Sequence, residues 1–132
     1  MMQSLDRTLV RSPIEYRLCT SERMFRRQLK AIKRHKDYPF TSWLSAAAGA
    51  CVHTLKDDAG DWQCIVCIDI DNRRDMTRTH AFLAHEAVHV WQEIKLHLGE
   101  KEPSAEFEAH AVQNIAEELF IAYARQSKKV KS

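Results

Sequence analysis

The sequence predicts an α+β domain, and three observations carry that prediction. Two strand-like runs, Cys51 to Leu55 and Trp62 to Ile70, flank the polar, Gly-containing turn Lys56-Asp57-Asp58-Ala59-Gly60-Asp61. Helix-spaced apolar positions dominate one stretch before this hairpin and two longer ones after it. Three glycines and three prolines in 132 residues leave little room for extended loops.

The elements follow in order. Ile14 to Leu18 reads as a short extended piece. Thr20 and Ser21 are good N-caps for a helix over 21–35, with Phe25, Leu29 and Ile32 at helical spacing. Asp37-Tyr38-Pro39 ends it. Phe40, Trp43, Leu44, Ala47 and Ala48 suit a short helix that Gly49 stops. After the hairpin, the connection from Asp71 to Thr79 offers Asp75, Thr77 or Thr79 as the cap of a long helix reaching Leu98, with Gly99 as its terminator. Pro103-Ser104 opens the last helix, which runs to about Gln126. The chain is large enough for one modest core, so residues 1–132 are a single domain. Within it, 1–40 is a basic N-terminal segment, 50–126 the core, and 127–132 a flexible basic tail.

The chemistry concentrates in His85-Glu86-Ala87-Val88-His89. Histidines four apart lie one turn from each other on one helix face, so both imidazoles can reach one metal ion, usually zinc. Glu86 beside them can take a proton from an activated water. Ala81, Phe82, Leu83, Ala84, Ala87, Val88, Val90 and Trp91 surround the motif. A helix apolar on nearly all sides is expected to be buried, and buried polar side chains need partners.

A catalytic zinc site takes three protein ligands and leaves one position open. Glu106 and Glu108 are the acidic candidates that follow. The apolar stripe Val112, Ile115, Leu119, Ala122 extends backwards to Glu108, whereas Glu106 aligns with His110, Gln113 and Glu117 on the polar face. Glu108 is therefore the expected third ligand, with Glu106 as the fallback. The alternative for Glu108 is an ion pair with an Arg or Lys.

His85-Glu86-Ala87-Val88-His89, followed after eighteen residues by Glu108-Ala109, resembles the gluzincin metallopeptidases. The run His85 to Gln92, with Glu106-Phe107-Glu108-Ala109 and Gln113, also looks like small uncharacterised phage and prophage proteins. The first resemblance implies a minimal zincin-like domain: an N-terminal helix, a β-hairpin or small antiparallel sheet, the motif helix, and a C-terminal helix bearing the third ligand. It implies one zinc ion on His85, His89 and Glu108, with Glu86 as catalytic base. It also implies that the strand before the motif helix edges the cleft and binds extended substrate, which nominates Cys64, Ile65, Val66, Cys67, Ile68 and Asp69. The chain has no counterpart of the Tyr or His with which larger gluzincins stabilise the tetrahedral intermediate.

Cys64 and Cys67 form C-x-x-C within a strand, where residues three apart face opposite sides, so they are not expected to share a metal. Cys51 and Cys67 could be cross-strand neighbours, and a disulfide between them stays open. The default is four thiols. The first 36 residues hold ten Arg or Lys against three acidic residues, and residues 84–124 hold eight acidic against two basic. The basic helix either contacts nucleic acid or is a solvated face. No apolar run is long enough to cross a membrane, and no secretory signal opens the chain. The expectation is a protein of the host cytoplasm or a virion, acting on a peptide or protein substrate. The alternatives are a non-catalytic, metal-stabilised phage structural or assembly protein that binds phage or host partners, and a nucleic-acid-binding module using residues 21–36.

Overall fold

A computed structural model describes residues 14–32, 42–44 and 49–131, with side chains up to residue 128. The element order is β1 (Glu15–Cys19), α1 (Glu22–Ala31), β2 (Ala50–Lys56), β3 (Trp62–Ile68), α2 (Met76–Leu98) and α3 (Ala105–Lys131). This is an α+β architecture, with a sheet ordered β1-β3-β2. The sheet is mixed, where a hairpin or antiparallel sheet was expected. β2 runs antiparallel to β3, but β1 pairs parallel to β3, with Tyr16 opposite Cys64 and Cys19 opposite Cys67.

Helices cover both faces of the sheet. Tyr16, Leu18, Cys64, Val66 and Ile68 pack against α2 and α3, through Leu83, Ala87, Val90, Trp91, Ile115 and Leu119. Cys19, Leu55, Ile65 and Cys67 pack against Phe25 and Leu29 of α1. Gln63 to Ile68 are consequently all buried, and Cys64 to Ile68 form a continuous apolar run. Cys64 and Cys67 fall on opposite faces, as a period of two requires.

Local signals fix the element ends. Ser21 caps α1 by accepting from Met24 N at 3.1 Å. The hairpin turn is held by Asp57, whose carboxylate accepts from Asp61 N at 2.9 Å, with Gly60 at φ 90°. Asp75 caps α2 and Gly99, at φ 74°, ends it. Ser104 accepts from Phe107 N at 3.1 Å at the start of α3. That helix runs past its expected end at Gln126 and takes in most of the segment read as a tail. Gln126 explains part of this: it accepts from Thr20 Oγ1 at 2.7 Å and donates to the Leu18 carbonyl at 3.1 Å. The expected helix over Phe40 to Ala48 lies largely outside the described residues, as does the end of the first helix beyond residue 32.

Arg74 fixes the entry into α2. It donates to the Asp69 carbonyl at 2.7 Å, to Asp69 Oδ1 at 3.0 Å and to Thr79 Oγ1 at 2.8 Å. Its guanidinium and that of Arg78 also lie 5.6 and 5.4 Å from the Phe82 ring centre. That ring lies so close to Gly49 that a Cβ there would stand 2.5 Å from Phe82 Cε2. Gly49 therefore sets the approach of α2 to the start of β2, beyond its expected role as a helix stop. Gly49→Ala is expected to cost about 1–3 kcal/mol by overpacking, read as a lower urea midpoint. An unchanged midpoint would show that Phe82 swings away freely.

Candidate active site

The His85 to His89 turn of α2 faces β2 across a cleft of about 380 Å³, floored by Ala50, Cys51, Val52 and Thr54. The opposite wall carries His85, Glu86, His89, Gln92 and Glu93. His85 Nε2 and His89 Nε2 lie 3.2 Å apart. A tetrahedral ion with Zn–N bonds of about 2.0–2.1 Å holds two ligating nitrogens roughly 3.3 Å apart, so the pair is already at ligand spacing. His89 Nδ1 donates to Gln92 Oε1 at 3.0 Å, which leaves Nε2 with its lone pair toward the partner imidazole. Gln92 thus has the orienting role that its sequence position alone did not assign.

Glu86 differs from the two histidines in being buried, with 6 % of its surface exposed. Burial pushes its carboxyl above the ordinary range. The His85 and His89 imidazoles pull it back, and Cys51 adds to the rise. A carboxylate with raised proton affinity beside two imidazoles in a cleft is suited to taking up a proton.

Several expectations need correction. The motif helix is not buried all round: His85, Val88 and His89 are exposed, and only Glu86 of the three polar motif residues is buried. Burial therefore demands a partner of Glu86 alone. The error has a physical cause, since the small sheet and α3 cover only part of the circumference of α2.

Residues Cys64 to Ile68 are not the cleft edge. They form the central strand, paired on both sides, and Asp69 just beyond is held by Arg74. Among the described strands β2 is the edge beside the motif, and Ala50, Cys51, Val52 and Thr54, not Cys64 to Asp69, line the cleft.

Glu108 points to α2, as the stripe predicted, but reaches a different side of it. Its Oε2 accepts from Trp91 Nε1 at 2.7 Å and Lys95 Nζ at 3.0 Å. Trp91 follows His89 by two residues, about 200° around the helix. Those two hydrogen bonds, Trp91 first, hold the Glu108 carboxyl below its usual range. The fallback Glu106 is exposed and lies 3.3 Å from His110. The structure thus brings His85, Glu86 and His89 to one cleft, and leaves Glu106 and Glu108 of α3 apart from them.

A second grouping went unread in the sequence. Among the described residues, the one set of three His, Cys, Asp or Glu side chains with ligand atoms all within 4.8 Å of one another is Cys51, His53 and Cys67, which could hold a metal ion. Cys51-x-His53 on a strand puts both on one face, a signal that was available. The hairpin register, which sets Cys67 opposite Cys51 as the sequence allowed, completes the set.

No protein-family model, no curated protein and no solved structure matches this chain. No described helix is long and apolar enough to cross a membrane.

Proposed function

We propose that the protein is a zinc-dependent hydrolase of peptide bonds, with its reaction centre in the cleft between β2 and α2. The observation that carries this reading is the pairing of two imidazole nitrogens at 3.2 Å with the buried carboxylate of Glu86 in one cleft. The donor pair fits a divalent ion. Glu108 does not complete the set in this arrangement, because Trp91 and Lys95 occupy its carboxylate. A bound ion would supply Lewis acidity and a water acidified toward neutrality.

The chain's own residues supply the rest. His85 and His89 would hold the ion, with His89 oriented by Gln92. Glu86 accepts the proton of the attacking water and passes it to the leaving amine. The edge strand β2 offers main-chain donors and acceptors to an extended peptide. Metal content of the purified protein, measured by elemental mass spectrometry, tests the reading. The expected result is a metal equivalent lost in His85→Ala/His89→Ala; equal content in the two proteins would defeat it.

A second reading is a non-catalytic protein whose fold a metal stabilises. The engagement of Glu108 by Trp91 and Lys95 counts against catalysis at the histidine pair, while Cys51, His53 and Cys67 form a separate donor set that could hold an ion with no part in hydrolysis. Metal-loaded protein that hydrolyses no peptide in a mixed library would support this second reading against the first. For the nucleic-acid alternative, Arg23, Arg27 and Lys30 are exposed on α1, an arrangement common to a nucleic-acid contact and a solvated face, and Arg26 pairs with Glu22 at 3.1 Å.

A further inference from the structure

Three cysteines line up across the face of the sheet that α1 covers. Cys19 of β1 is in register with Cys67 of β3, and Cys67 with Cys51 of β2. His53 stands two residues beyond Cys51 on that face. Its Nε2 is 3.5 Å from Cys51 Sγ, and its ring stacks on Phe25 with centroids 4.8 Å apart. The carbonyl oxygen of Trp43 converges on the same point, 3.2 Å from Cys51 Sγ and 3.0 Å from His53 Nε2.

We propose that Cys51, His53 and Cys67 bind one thiophilic metal ion, zinc or copper(I), at a site separate from the His85/His89 pair, with the Trp43 carbonyl closing the remaining side. Two sulfurs and one imidazole form a soft donor set, which selects these ions over magnesium, calcium or manganese. Ligands at Zn–S and Zn–N bonds of about 2.3 and 2.0–2.1 Å stand roughly 3.5–3.8 Å apart around a tetrahedral ion. The Cys51–His53 separation already matches, and the 4.8 Å limit on the set requires only a small contraction.

Binding releases one proton from each thiol to solvent and leaves His53 neutral at Nε2. Without an ion, burial penalises the thiolates. Cys67 is pushed up by its hydrogen bond with Cys51 and by burial. Burial also works against the charged form of His53, but its bonds to Cys51 and Trp43 outweigh this and raise it. An ion would replace those compromises with ligand bonds and tie residues 42–44 to the β2–β3 hairpin. Cys51 also belongs to the floor of the cleft, so the second site would stiffen the strand opposite the motif.

The test uses the full chain, reduced and stripped with a chelator. Cobalt(II) is added, and thiolate-to-cobalt charge-transfer absorption in the near ultraviolet is followed. The band is expected to saturate at one equivalent, persist in His85→Ala/His89→Ala, and vanish in Cys51→Ser/His53→Gln. Displacement of cobalt by zinc, or by copper(I) under anaerobic conditions, supports the site and distinguishes the two ions. Absence of the band in the reduced wild-type chain, or its survival in Cys51→Ser/His53→Gln, overturns the proposal.

A measurement on the unaltered protein guards against misfolding of the variant. Zinc at ten times its Kd should slow alkylation of Cys51 roughly tenfold, because only the metal-free protein reacts. Unchanged alkylation, or a Cys51–Cys67 disulfide that persists under reductant with excess zinc, also overturns it.

Discussion

Glu86→Gln is expected to lower peptide hydrolysis by about 10²–10⁴-fold while leaving the metal content of the protein unchanged. Gln keeps the size and hydrogen-bonding edge of Glu but cannot accept a proton, so the substitution removes one function from the cleft. A second readout measures what the buried carboxylate costs the fold. Burial raises the Glu86 carboxyl above the ordinary range, against the opposing pull of His85 and His89. In metal-free protein the contribution of a raised carboxyl to stability is full below its unfolded value, about 4.3, and is lost as pH rises through its folded value. Glu86→Gln should therefore be more stable than wild type at neutral pH without metal, and this advantage should shrink as pH falls toward the unfolded value. Urea midpoints across that range measure it. Loss of turnover with gain of stability marks a side chain held in an unfavourable state for function. Retained turnover would remove Glu86 as base.

What the sequence made legible was local. Asp57 and Gly60 close the hairpin, while Asp75, Gly99 and Ser104 mark the helix ends. Each acts within a few residues of its own position. The proximity of His85 and His89 is likewise fixed by one turn of helix. What stayed hidden depended on contacts between distant segments. Nothing in Ile14 to Leu18 announces a parallel partner at Cys64 to Cys67, and without β1 the strand β3 looks like an edge. Periodicity showed that Glu108 faces inward but not which side of α2 it would meet. That depends on where α3 docks relative to the sheet. α2 reads as buried all round for the same reason: its apolar composition does not reveal how little structure covers it.

The clamp between α2 and α3 supplies the other large effect. Trp91 is almost fully buried, tilted against Phe107 with ring centroids 5.9 Å apart, and donates its indole N–H to Glu108. Trp91→Ala removes the largest fully buried side chain and is expected to cost about 3–5 kcal/mol, a large share of the roughly 5–15 kcal/mol that keeps a domain of this kind folded. Trp91→Phe should cost less, because it keeps most of the apolar volume and leaves Glu108 its bond to Lys95. Glu108→Gln then separates the two roles open to that residue. As a clamp, its lowered carboxyl stabilises the fold above the ordinary Glu range, and that contribution is lost as pH falls through the depressed value. The variant should accordingly be less stable than wild type at neutral pH, converge with it in acid, and carry the same metal content. If Glu108→Gln instead loses metal while Trp91→Phe retains it, α3 must release its carboxylate from Trp91 and Lys95 to reach the histidines, and the clamp seen here would be the metal-free state of the site.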